Sequence, residues 1–327
     1  MKKIVTTENL NIYDSKIIAS YFLGKKCCVF DIETTGLNFN WDKIVLTAVL
    51  TIENDKALVT QFLAEEPKEE AKIIEETLNY LNDKKVDFLM TYNGDGFDIP
   101  FFKIKMKKYF KTTNLEYYNM DLYKIFRNHS TLKSLTGSLS QKSMEAFMGI
   151  DKDRYDTIDG GKSAELYKTY VKTKDKKTED LILTHNREDV IQLYKLLPLI
   201  KFCDFHNAMY DNGFPFMNLY VKPRLIKGYL KISGKQYHSP LSIDTFGNFS
   251  YNYEAHFDET EGIFEILIPT FQEKNGKYLD AGFIENNSGE LPLINGYLIV
   301  EEEELKKHRE INLFSMLVIE KILSDYS

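Results

Sequence analysis

Apolar and polar positions change rhythm along this chain, and each change marks an element. An apolar run ends in Asp31-Ile32-Glu33; read as a strand from Val29 to Glu33, it projects Asp31 and Glu33 from one face. "KIVLTAVLTI" and "KALVTQFLAE" continue the β pattern, with turn residues Asn38, Asn40, Asn54 and Asp55 between the runs. Three strands joined by short links predict an antiparallel meander. The period then lengthens: "EEPKEEAKIIEETLNYLNDKK" has Pro67 near its start and Ile73, Ile74, Thr77, Leu78 and Leu81 at helical spacing. "VDFLMTY" predicts a fourth strand, "NGDGFDIPFF" a turn entering a helix that ends near Phe110, and "NLEYYNMDLY" a fifth strand. From Leu122 to Phe202 the signals are helical.

This order implies an α/β fold, a mixed five-stranded sheet with flanking helices. Beyond Asp204 short β-type runs are split by Gly, Asn, Asp and Ser, and an apolar helix from about Asn312 to Leu323 closes the pattern. The expected organisation is therefore a domain over 1–205 and a smaller, mostly-β C-terminal domain over 206–327.

No run approaches the roughly 20 apolar residues of a membrane span, and "MKKIVTTENLNIYDSK" turns polar too soon for a signal peptide. A soluble protein of the cytoplasm, with no membrane partner, is expected. Cys27, Cys28 and Cys203 lack the spacing of a disulfide framework or a zinc site, and read as reduced thiols. The net charge of −7 argues against coating nucleic acid by bulk electrostatics. It leaves room for a nucleic-acid enzyme whose acids hold cations. The stretch "KIKMKKYFK" from Lys103 to Lys111 could track a phosphate backbone or form a solvated helix face.

Two further acids stand out. Asp98 lies where a strand passes through "TYNGDGFDIP" into a helix, a corner that often carries functional side chains. Asp189 follows His185 by one helical turn, so both share a face. Asp31, Glu33, Asp98 and Asp189 together offer oxygen ligands, which suit Mg²⁺ or Mn²⁺ better than zinc. Sites of this kind commonly hold two such ions about 3.5 to 4 Å apart. His185, with an unperturbed pKa near neutrality, is the natural general base. Each also has a bland reading, as strand-end acids, a helix N-cap and a solvated helical pair; together, in this order and on strand, corner and helix, they point to a metal site.

"DIETTG" at 31–36, "NGDGFD" at 93–98 and "HNRED" at 185–189 resemble, in order, the three motifs of the DEDD, or DnaQ-like, 3′→5′ exonucleases of ribonuclease H-like fold. "MGIDKDRYDTIDGGKSAELYKTY" followed by "LILTHNREDVIQLYKL" is similar to the YprB-like branch of that superfamily, and the likeness covers roughly residues 20 to 203. It implies that Asp31, Glu33, Asp98 and Asp189 bind two divalent metals and that the substrate is a DNA or RNA 3′ end. It also implies that Thr34, Thr35, Gly36 and Leu37 lie along the terminal nucleotide, and that Asn93 and Phe97 shape the pocket. The superfamily's base is usually a Tyr four residues before the last Asp or a His five before it; here a His stands at the four-residue spacing.

The function expected is metal-dependent 3′→5′ exonucleolytic hydrolysis. The alternative is a noncatalytic nucleic-acid-binding module that keeps the metal site. The roughly 120 residues after 204 are too few for an attached polymerase domain. An endonuclease of ribonuclease H type would differ by cutting a circular substrate. Asp121 reads as a helix N-cap with a possible supporting role, and Trp41 as a packing residue. In the C-terminal part, Tyr229, Tyr237, Phe246, Phe249, Tyr251 and Tyr253 mix with Lys222, Arg224, Lys227, Lys231 and Lys235. Such a mixture is used for stacking on single strands, but it also arises from core and cross-strand pairs. His129, His206, His238, His256 and His308 have no ligand spacing.

Overall fold

The structure is a computed structural model that describes residues 1–326 except 114, 156–159, 238, 246–251, 274–275 and 287–288. His238, Phe246, Phe249 and Tyr251 thus lie outside the described residues. The chain divides into two compact units, 1–19 with 23–203, and 20–22 with 204–327.

Six strands build the sheet of the first unit: β1 (Lys2–Glu8), β2 (Cys27–Thr34), β3 (Ile44–Glu53), β4 (Lys56–Leu63), β5 (Phe88–Thr91) and β6 (Tyr118–Asp121). Their order is β1-β4-β3-β2-β5-β6, with β5 parallel to both β2 and β6 and the other pairings antiparallel. The sheet therefore has one strand more than the five expected. In "KKIVTTE" polar residues outnumber apolar ones, because β1 pairs on one side only and its positions alternate between half-buried and exposed. Such an edge strand carries little hydrophobic signal.

The helices of this unit are α1 (Lys16–Phe22), whose last turn belongs to the second unit, α2 (Glu70–Asp83), α3 (Asp98–Phe110), α4 (Leu122–His129), α5 (Leu132–Thr136), α6 (Gln141–Met148), α7 (Gly160–Thr173) and α8 (Lys176–Lys195). Central strand β3 is buried over its first eight residues, as expected of a strand covered on both faces. On one face Thr47 bonds Thr77 of α2 at 2.7 Å. On the other, one step along the pleat, the cross-strand row Asp31, Ala48, Gln61 faces α8. Asp31 and Glu33 of β2 thus lie under α8.

In the second unit α9 (Phe205–Asn212) precedes an antiparallel sheet ordered β15-β14-β13-β12-β9-β8-β7, and α10 (His308–Asp325) follows it. Its strands are β7 (Phe214–Phe216), β8 (Leu219–Ile226), β9 (Tyr229–Gln236), β10 (Ile243–Asp244), β11 (Glu254–Asp258), β12 (Ile263–Glu273), β13 (Gly276–Asp280), β14 (Tyr297–Glu302) and β15 (Leu305–Lys306). Within it β11 bridges β10 and β12. Several residues weighed above for single-strand stacking are committed to the fold itself. Tyr253 is buried, the Arg224 guanidinium donates to the carbonyls of Tyr210 and Asp211, and Lys231 pairs with Glu265 on the next strand. No described helix is long and apolar enough to cross a membrane.

Candidate active site

Three elements deliver the acids. Asp31 and Glu33 share the face of β2 that lies under α8, Asp98 opens α3, and Asp189 follows His185 by one turn of α8. The strand holds Asp98 directly: the backbone N–H of Ile32, between the two β2 acids, donates to Asp98 Oδ1 at 3.1 Å. His185 Nε2 lies 3.5 Å from Glu33 Oε1 and 3.5 Å from Asp189 Oδ2. Glu33, His185 and Asp189 each offer a ligand atom, all within 4.8 Å of one another. Asp31 is oriented from above, its Oδ2 accepting 2.8 Å from Asn186 Nδ2. The Asn186 carbonyl oxygen in turn accepts from Gln61 Nε2 at 2.9 Å, and that amide also donates to the Leu183 carbonyl. Asn186 spans from Asp31 to Gln61 across Ala48, the small residue of the same row.

Electrostatics make the cluster costly. Burial, with the charges of Asp189 and Asp98, pushes Glu33 up to about 7 against the opposing His185 and the Ser163 hydroxyl. Asp98 is likewise pushed up to about 7 by burial, against the Ile32 N–H, which favours its charged form. Asp31 sits well above the carboxylate range through burial and repulsion from Asp98, Asp189 and Glu33. Like charges in a low-dielectric pocket disfavour ionisation unless a cation joins them. The donor set, four carboxylates with one imidazole, fits hard divalent ions.

The corner before Asp98 is built from behind by Asp121. Its carboxylate accepts from the backbone N–H groups of Asn93 (2.9 Å), Asp95 (3.0 Å) and Lys124 (3.2 Å), so it supports the turn and caps α4 at once. Asn93 adopts φ +63° there, a conformation Asn tolerates better than most side chains. At Gly94 a Cβ would fall 2.2 Å from Thr91 Oγ1, so the turn closes only without a side chain.

The loop after β2 is equally fixed. Thr34 Oγ1 donates to the Gly36 carbonyl at 2.7 Å, and Thr35 Oγ1 donates to Asp42 Oδ1 at 3.1 Å. A Cβ at Gly36 would meet Asp42 Oδ2 at 2.5 Å. Phe39 packs its ring on Phe97 and Phe101, tying this loop to the residue before Asp98. Phe39 thereby takes the packing role expected of Trp41, which is 82% exposed, as is Leu37 at 81%. Lys105, from the basic stretch on α3, is fully buried; its Nζ donates to the Asn40 carbonyl and lies 3.8 Å from Glu70 Oε1. That stretch is therefore partly core and not a continuous phosphate track.

The acids, His185 and the 34–37 and 93–97 turns thus converge on one region. Sequence reasoning passed over Gln61, Asn186, Ser163, Arg154 and Glu145. Asn186 sits inside "HNRED", and Arg154 and Ser163 inside "MGIDKDRYDTIDGGKSAELYKTY"; what the sequence hides is their reach to the acids, 35 positions from Arg154 to Asp189.

A model of the family described as the RNase H superfamily matches residues 28–200, more than half of the chain. No curated protein matches. Among solved structures, the family B DNA polymerase from the hyperthermophilic archaeon Pyrobaculum calidifontis is similar at 18% identity and TM-score 0.42, over 54% of this chain and 24% of that one. Exonuclease I of E. coli, solved in complex with a dT13 oligonucleotide, is similar at 11% identity and TM-score 0.38, over 64% of this chain and 55% of that one. The chain thus spans about a quarter and about half of the length of these two proteins.

Proposed function

The chain belongs to the RNase H superfamily, and from that premise we propose that it is a metal-dependent 3′→5′ exonuclease of the DEDD type, nearest the YprB-like branch, acting on DNA or RNA. The observation that carries this reading is the convergence of Asp31, Glu33, Asp98 and Asp189 at one buried place where burial and mutual repulsion hold Asp31, Glu33 and Asp98 above the carboxylate range. A group of acids assembled at such electrostatic cost is explained by a cation.

The four carboxylates would hold two Mg²⁺ or Mn²⁺ ions, which supply Lewis-acid stabilisation of the charge that develops on the phosphate. His185 Nε2, 3.5 Å from both Glu33 and Asp189, would take the proton of the attacking water. Asn186 and the Ile32 N–H keep Asp31 and Asp98 aimed inward. The loop from Thr34 to Leu37, with Asn93 and Phe97, would line the terminal nucleotide. The Thr34 and Thr35 hydroxyls are engaged within the loop, so Leu37 is its exposed contact.

The test is cleavage of 5′-labelled single-stranded DNA and RNA with Mn²⁺ or Mg²⁺, beside an Asp31→Asn/Glu33→Gln control. A ladder of shortened products, absent with the control, is expected. Binding with no turnover would replace this reading with the noncatalytic module, and cutting of a circular strand would replace it with an endonuclease.

A further inference from the structure

Arg154 enters the acid cluster from outside the three motifs. Its side chain, 6% exposed, spans two carboxylates. Nη1 donates to both oxygens of Glu145, at 2.9 and 3.1 Å, and Nη2 donates to Asp189 Oδ1. Glu145, on α6, is buried and is held in turn by Gln141 Nε2 at 3.1 Å. The same Gln141 amide donates to the backbone carbonyl of Asp189 at 3.0 Å. The other carboxylate oxygen, Asp189 Oδ2, is the one near His185 Nε2.

We infer that Arg154 is a positioning residue for the cation site: it holds Oδ1 of Asp189 so that Oδ2 is presented to a divalent ion, while Glu145 neutralises the guanidinium. This inference rests on the metal-dependent reading above. The reasoning is one of charge and shape. A lone guanidinium beside a ligand carboxylate would compete with the ion for it. Paired on its other side with Glu145, Arg154 adds no net charge, and what remains is direction. The planar fork of arginine can engage two carboxylates at once in fixed geometry, which a lysine ammonium cannot reproduce. Groups that orient metal ligands typically matter 10- to 100-fold for metal affinity.

The experiment is Mn²⁺ binding by the full chain, measured by calorimetry with no nucleic acid present, for the wild type, Arg154→Lys and Arg154→Met/Glu145→Leu. The double variant removes both buried charges together, so neither is stranded in the interior. Folding of each is checked by circular dichroism. The expected result is a roughly 10-fold or greater loss of Mn²⁺ affinity in both variants. Cleavage then requires more Mn²⁺ for half-maximal rate, and the rate at saturating Mn²⁺ is recovered in large part. Affinity within about twofold of the wild type in either folded variant overturns the inference. Tighter binding by the double variant also overturns it, because Arg154 would then be a stand-in cation that the metal displaces. A wild type that binds no Mn²⁺ sinks the metal-dependent reading itself, and this inference with it.

Discussion

Buried polar groups are treated in opposite ways in the two units. In the second, Gln236 at the end of β9 is buried with its amide fully used: Nε2 donates to the carbonyls of Leu241, Asp258 and Ile263 at 3.0 to 3.1 Å, and Oε1 accepts from the Leu241 N–H at 2.8 Å. In the first, Asp31, Glu33 and Asp98 are gathered where burial and neighbouring carboxylates make their ionisation harder. Gln236 organises neighbouring strands and asks for nothing further. The acids sit in one another's field, where burial and repulsion disfavour their charged forms. Buried polarity alone is therefore a poor guide to function; like charges left in one another's field are the better one.

The contrast is broken most directly at the acids. Asp31→Asn or Asp98→Asn should lower metal-dependent cleavage by on the order of 10³-fold, several kcal/mol of transition-state stabilisation. At a pH above about 7, where Asp98 is ionised, Asp98→Asn should also raise the thermal midpoint of the protein in EDTA, since a repelling charge is gone. A variant that lost activity and stability together would place these acids with Gln236, as structural groups.

The pH response comes next. Glu33 and Asp98 keep their protons up to about 7 in the folded chain, whereas in the unfolded chain they release them near 4. Between these values the folded form binds more protons, so its stability in EDTA should fall as pH rises from about 4 to about 7 and lose nothing further from these groups above that. Urea unfolding of the wild type and of Glu33→Gln/Asp98→Asn across this window checks it; a wild-type slope no steeper than the variant's would refute the assignment.

On the other side of the comparison, Gln236→Leu should cost on the order of 1–3 kcal/mol of stability by stranding its partners, read as a lower urea midpoint at unchanged m. Its Mn²⁺ affinity should match the wild type. The smallest effect is expected at Trp41: Trp41→Ala should leave the unfolding free energy, read by urea denaturation, within roughly 0.5 kcal/mol of the wild type, because an exposed side chain has little packing to lose.

What the sequence makes legible follows the range of each interaction. The i, i+2 pair on β2 and the i, i+4 pair on α8 can be read from spacing alone, because local geometry decides which way those side chains face. The "NGDG" corner is legible for a similar reason, since turn chemistry is local. The residues that orient the acids escaped notice. Asn186 and Asp31 are 155 positions apart, Gln61 and Asn186 125, and Arg154 and Asp189 35. Each pair exists only through tertiary packing. Strand β1 escaped for another reason: seven residues with one half-covered face leave almost no apolar pattern to read.

Strand β1 also bears on how the protein can be handled. The family match begins at residue 28, which invites trimming the chain to the matched span. Six of the eight residues of β4 are buried, and β1 pairs along its whole length. Cut away, β1 would leave a long, apolar ladder open on one side, the template on which separate chains stack into aggregates. The first unit is therefore best kept with its first eight residues.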